Sequence, residues 1–234
     1  MESFDSLLGK IVNEGTSMSS DGISTNISGI TLYKQSSVRI AANKIIYVDP
    51  YELSGVSSDA DYIFITHSHT DHFSENDIAK VIKSGKTILV VPEDLKSQVA
   101  GMGAAEVISV KPANVYEVAG LTFSTVPAYN IGKPYHPKEK GWVGYIIQGE
   151  KASYYFAGDI DAIPEMKNVK ADIFFIPIGG TYTMNVEQAI DIINEISPKV
   201  VIPYHYGDIV GSKTDGEKFK SLLSEGIQCL LIKP

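Results

Sequence analysis

Two mixed β-sheets packed together, with helices on the outside, is the fold class this sequence predicts. Three observations predict it. Short strand candidates joined by tight turns come first, as in an antiparallel meander. Strands alternating with helical patterns follow, and the same succession then occurs a second time. The strands themselves are apolar runs such as Tyr62-Ile63-Phe64-Ile65, rich in β-branched and aromatic residues, which read as buried.

Taken in order, Phe4, Leu7, Leu8, Ile11 and Val12 recur at helical spacing and stop at Gly15. They predict a short helix over 3–14. Residues 18–22 are polar and loop-like. Strands are predicted around 27–33, 37–41 and 44–48, the last closed by Asp49-Pro50 because proline cannot continue a ladder. The strand at 62–65 leads into a polar turn. Ser74 then caps a helix carrying Ile78, Val81 and Ile82 on one face. A strand over 87–91, a helix over 92–100 with Pro92 in its first turn, and a strand over 106–110 complete the first half. The second half opens with a hairpin, 115–118 and 121–126 around Ala119-Gly120. A loop rich in Pro, Gly and Lys spans 129–141. Strands follow over 142–148, 153–156 and 172–176. A helix over 184–196, a strand over 200–202, a helix over 215–223 and a strand over 227–232 end the chain. No internal linker is visible, so 1–234 reads as one domain.

The chain has 234 residues and a formal net charge of −8. With no basic excess, counterion release cannot drive broad nucleic-acid binding. No apolar run approaches membrane-spanning length, and the acidic N-terminus does not read as a signal peptide. The single cysteine, Cys229, lies in an apolar run and reads as a buried thiol in a reducing compartment. The expectation is therefore a cytoplasmic protein that binds neither nucleic acid nor membrane. The apolar N-terminal helix suggests a homo-oligomer.

Chemistry concentrates in Thr66-His67-Ser68-His69-Thr70-Asp71-His72, on the turn between a strand and a helix. Three of the five histidines of the chain lie here. Residues two apart in extended chain point the same way, so His67 and His69 grip one cation from one side. Asp71 and His72 project towards a second position. Imidazole with carboxylate suits zinc, manganese or iron. Further ligands are expected at other strand ends. His205 follows Val200-Val201-Ile202-Pro203-Tyr204, as a ligand or a capped loop histidine; Asp159 follows Tyr154-Tyr155-Phe156-Ala157-Gly158, as a ligand or an N-cap for the next segment; His136 lies in the long loop.

The motif His-x-His-x-Asp-His after a buried strand resembles the metallo-β-lactamase superfamily. Gly158-Asp159, Gly179-Gly180-Thr181 and Pro203-Tyr204-His205 follow in that family's order. The resemblance implies a four-layer αβ/βα sandwich with metals at one end of the sheets. It implies a binuclear site with metal ligands His67, His69, Asp71, His72, His136, Asp159 and His205. Asp159 would bridge the two divalent ions, zinc first, with manganese, iron or nickel as alternatives. A hydroxide shared by the metals would attack an acyl or phosphoryl centre, with Asp71 and Asp159 as the catalytic carboxylates. The superfamily usually has a histidine where this chain has Asn130, so either His136 substitutes for it or the first metal keeps two histidines. The branch most resembled is that of small bacterial and archaeal metal-dependent hydrolases that includes the ascorbate-6-phosphate lactonase. The substrate is then a small molecule, anionic if Lys133 and Lys138 attract it: an ester, lactone or phosphodiester. Two other classes stay open. One is a non-catalytic metal-binding protein with a degenerate site, suggested by Asn130. The other is an iron oxidoreductase on the same fold, a branch that usually has Glu where this chain has His69.

Around the site, Asp49 is placed to accept the second ring N–H of a ligand histidine, or is a turn residue before Pro50. Tyr182 and Thr183 either face the pocket or cap the following helix. Trp142 and Tyr135 either wall the pocket or fill the core.

Overall fold

The computed structural model describes residues 26–27 and 29–232. The helix expected over 3–14 and the loop over 18–22 lie outside the described residues. Two seven-stranded sheets form the body. The first runs, in spatial as in chain order, β1 (Asn26–Ile27), β2 (Ile30–Leu32), β3 (Val38–Ala41), β4 (Ile45–Val48), β5 (Tyr62–Phe64), β6 (Ile88–Pro92) and β7 (Glu106–Val110). The second runs β8 (Val115–Val118), β9 (Leu121–Pro127), β10 (Val143–Gln148), β11 (Ser153–Phe156), β12 (Ile173–Pro177), β13 (Val200–Tyr204) and β14 (Gln228–Cys229).

Both sheets follow one plan. β1 to β4 pair antiparallel and β4 to β7 parallel. β8 to β11 likewise pair antiparallel and β11 to β14 parallel. Helices α1 (Glu75–Val81), α2 (Val186–Ile196) and α3 (Asp215–Leu222) join parallel strands, as parallel pairing requires a crossover.

The strands are apolar without alternation because both of their faces are covered. In β5, Tyr62 and Phe64 point into the layer between the sheets, among Val48, Val90, Phe123 and Tyr145. Ile63 points the other way, into a layer with Ile78 and Val81 of α1. Phe175 faces the central layer, while Phe174 and Ile176 face Ile190 and Ile193 of α2. The result is the four-layer sandwich expected.

Three expected elements differ. The single strand expected around 27–33 is two, β1 and β2, paired antiparallel. Residues 92–100 hold only a 3₁₀ turn, Glu93–Leu95, because Pro92 stays in register as the last residue of β6, opposite Val110. The strand expected over 227–232 is reduced to the two residues of β14, at the edge of its sheet. Asn185, paired reciprocally with Gln188, caps α2. That leaves Thr183 to bond the carbonyls of Gly180 and Met184.

Cys229 is buried, and burial pushes its thiol up to about 12. An unfolded thiol ionises near 8.5. The stability tied to this group is complete below that value and is lost as pH rises towards 12. The native protein should therefore resist a thiol reagent at pH 8, react once denatured, and lose thermal stability progressively above about pH 9. Rapid labelling of native protein at pH 8 would contradict the burial.

Candidate metal centre

The carboxyl ends of the parallel strands of both sheets meet at one end of the sandwich, where open α/β sheets gather their ligands. Asp49 follows β4, the His67–His72 turn follows β5, Asp159 follows β11 and His205 follows β13. The sheets approach closely here. A Cβ on Gly158 would lie 3.1 Å from Thr66 Cβ, and Gly158 has φ +67°. A Cβ on Gly179 would lie 2.3 Å from the His205 carbonyl oxygen. Glycine is required at both positions. Hydrogen bonds sew the seam: Val143 N–H donates to the Thr66 carbonyl (3.2 Å), and Tyr145 Oη–H to that of Ile65 (2.7 Å). Tyr204 Oη accepts from Gly158 N–H (2.9 Å).

All seven side chains expected as ligands come together. They fall into groups whose donor atoms lie within 4.8 Å of one another: His67, His69 and His136; His67, His72 and Asp159; Asp71, His72 and His205. His67 Nε2 and His69 Nδ1 are 3.1 Å apart. Asp159 stands between the groups. Its Oδ1 lies 3.2 Å from His72 Nε2 and 3.3 Å from His205 Nε2, while its Oδ2 lies 3.4 Å from His136 Nε2. Asp71 Oδ2 lies 3.3 Å from His205 Nε2 and 3.6 Å from His72 Nε2.

Among these atoms, His67 Nε2 with His69 Nδ1 (3.1 Å) and His205 Nε2 with Asp71 Oδ2 (3.3 Å) lie at hydrogen-bond distance, but others are turned on each other without a bond. His72 Nε2, His136 Nε2 and Asp159 Oδ1 are buried and unpartnered. Buried polar atoms left without partners are costly. A compact set of unpartnered imidazole nitrogens and carboxylate oxygens fits a divalent cation.

The supporting residues fix which nitrogen faces the cluster. Buried Asp49 accepts from Thr66 N–H (2.7 Å), Thr66 Oγ1–H (2.6 Å) and His72 Nδ1–H (2.7 Å). Thr66 Oγ1, its hydrogen given to Asp49, accepts from His67 Nδ1–H at 3.0 Å. His67 and His72 thus both present Nε2 to the cluster. Asp49 (φ +45°) and His205 (φ +54°) are left-handed without being glycine, the kind of strain that collects at functional sites.

The charges are strongly coupled. Burial pushes His72 towards the neutral form, but Asp159 and Asp49 outweigh it and hold the ring well above its usual range. Burial, with His72, His136 and His69 close by, holds His67 well below it. Burial likewise brings His136 down to about 4. Asp71 and Asp159 are pushed up by burial, yet the surrounding histidines hold both well below the usual carboxylate range.

Trp142 is a wall of the site. It is 4% exposed, its ring centroid lies 5.0 Å from that of His67 and 4.9 Å from that of His69, and its indole N–H donates to Asp94 (2.9 Å). Asp94 also accepts from Ser68 Oγ–H at 3.0 Å, pinning the metal turn. Tyr135 is 41% exposed and stacks edge-on against Tyr182. Lys133 is committed to Asp161 and the Thr183 carbonyl, and Lys138 to Glu165. Lys133 is thus held within the protein, while Lys138 keeps an exposed ammonium in a surface pair. Thr66, Ser68 and Asp94 escaped sequence reasoning. Thr66 had a signal in its place between strand and motif; Asp94 had none.

This fold and this cluster define a metallo-β-lactamase-type protein. The chain belongs to the β-lactamase superfamily: the family profile described as a beta-lactamase superfamily domain matches residues 29–205. Its relatives are named metal-dependent hydrolases, the class in which the chain falls. It is similar to UPF0173 metal-dependent hydrolases of Nanoarchaeum equitans, 31% identical across 81% of this chain and 89% of the relative, and of Methanopyrus kandleri, 29% identical across 75% and 80%. A crystal structure from Parabacteroides distasonis superposes with a TM-score of 0.73 at 32% identity, covering 86% of this chain and 91% of that one.

Proposed function

We propose that this chain hydrolyses an ester, lactone or phosphodiester bond of a small molecule, using two divalent ions, zinc foremost. The observation that carries the reading is Asp159, whose two oxygens serve different histidine groups. His67, His69 and His136 would hold one ion. Asp71, His72 and His205 would hold the other, with Asp159 between them. Bound there, divalent ions supply Lewis acidity and lower the pKa of water from 15.7 to about 7.

The chain's own groups do the rest. Asp49 and Thr66 hold the His72 and His67 rings in place, so the site needs little reorganisation. Asp71 is partly exposed, with Oδ2 turned to His205 and His72. Its Oδ1 is left to orient the attacking water and take its proton, to be passed to the leaving oxygen. Trp142 excludes solvent from the histidine side. The cytoplasm, with its reduced thiols, is the compartment that suits Cys229.

Metal analysis at equilibrium, followed by a screen of chromogenic esters, lactones and phosphodiesters, tests this. Two equivalents of divalent ion and turnover lost on chelation are expected. Turnover undiminished in metal-depleted protein would refute the proposal.

A further inference from the structure

Asn130 occupies the place of the histidine that the superfamily resemblance leads one to expect, and its backbone N–H and both ends of its side-chain amide are engaged. Its backbone N–H donates to the His136 carbonyl at 2.8 Å. Its Oδ1 accepts from the His136 backbone N–H at 3.1 Å and lies 3.0 Å from His136 Nδ1. Its Nδ2 donates to the Tyr182 carbonyl at 2.8 Å. These partners settle which end of the amide is which. A backbone carbonyl only accepts, so Nδ2 faces Tyr182 and Oδ1 faces His136. An amide oxygen also only accepts, so the hydrogen between them belongs to His136 Nδ1. A neutral imidazole carries one ring hydrogen. His136 Nε2 therefore presents its lone pair. Nε2 is also the atom that lies 3.4 Å from Asp159 Oδ2 and has no hydrogen-bond partner.

We propose that Asn130 is a positioning residue that fixes His136 as the Nδ1–H tautomer, with the Nε2 lone pair turned on the position shared with His67 and His69. This rests on the metal-centre reading above. The departure from histidine at 130 is then a change of seat for the ligand, which comes from six residues further on, and not damage to the site. The seat is rigid. Three hydrogen bonds between Asn130 and His136 close the loop on itself. Lys133 anchors its tip to Asp161 and to the Thr183 carbonyl, and Ile131 N–H donates to Asp161 Oδ2.

The test uses the full-length protein, zinc-loaded and after chelation. Long-range nitrogen-15 NMR reads the His136 ring, assigned by the signals lost in His136→Gln. Zinc affinity is read by competition with a chromogenic chelator. Wild type should show Nδ1–H in both forms. Asn130→Ala should give mixed tautomers after chelation and weaken one zinc equivalent about 10–100-fold, leaving the other unchanged. Asn130→Asp, which keeps the acceptor, should restore the tautomer and most of the affinity. A purely loop-closing role would lower the melting temperature while the ring nitrogens and zinc affinity stayed as in wild type, and that would overturn the proposal. An Nε2–H ring in chelated wild type would overturn it even if Asn130→Ala did not fold. A wild type that bound no zinc would sink the metal-centre reading, while the ring nitrogens would still decide the tautomer.

Discussion

Replacing Asp159 with alanine is expected to cut hydrolysis to below about a thousandth of wild type, roughly 4 kcal/mol of barrier, and to lose at least one equivalent of divalent ion. The reason is positional. Asp159 is 3% exposed and reaches His72 and His205 with one oxygen and His136 with the other. Without it, buried imidazoles face each other with no anion between them, and cations held there would repel unscreened. His69→Ala should likewise abolish turnover, through the first group alone. Metal analysis beside steady-state kinetics checks both. Glu165 is the control, because among the described residues its side chain serves Tyr129 and Lys138 on the surface: Glu165→Gln should leave metal content and turnover as they are. An Asp159→Ala variant with two equivalents bound and full turnover would refute the role assigned to this carboxylate.

The second large effect is expected at Asp49, which contacts no proposed substrate position. It is fully buried and accepts three hydrogen bonds from Thr66 and His72. Burial pushes its carboxyl up, while His72 and Thr66 oppose the push. Removing one member of a buried pair leaves the other uncompensated, at a cost of about 3–5 kcal/mol. Asp49→Ala should therefore lower the denaturation free energy by that amount and weaken metal binding about 10–100-fold. Asp49→Asn keeps the shape but loses the charge, and should fall between wild type and alanine. Denaturant unfolding with chelator competition measures both. A loss under about 1 kcal/mol would mean that the Asp49–His72 contact is of the weak, solvent-screened kind.

Much of this was legible in the sequence for physical reasons. Strands covered on both faces must be continuously apolar, so β5, β6, β12 and β13 announce themselves. The metal turn is legible because four donors crowd into six residues. Asp159 and His205 were found because each follows such a strand and because the order of motifs resembles a known superfamily. Local reading failed where partners are distant in sequence. Asn130 and Tyr182 are 52 residues apart, and Trp142 and Asp94 are 48 apart; no spacing rule connects them. Lys133 looked free because its loop is polar, yet Asp161 claims it from 28 residues away. The helix expected over 92–100 failed because a proline that opens a helix can also be the last residue of a strand, and cross-strand register with Val110 decided the matter.

The repeated plan of the sheets has one last consequence. His67, His69, Asp71 and His72 come from the first seven strands and their connections; His136, Asp159 and His205 come from the second seven. Either ion would thus rivet one half of the polypeptide to the other. Neither half could keep its cargo alone, and opening the joint and releasing the ions would be a single thermodynamic event, so ion concentration would set how firmly the halves stay closed.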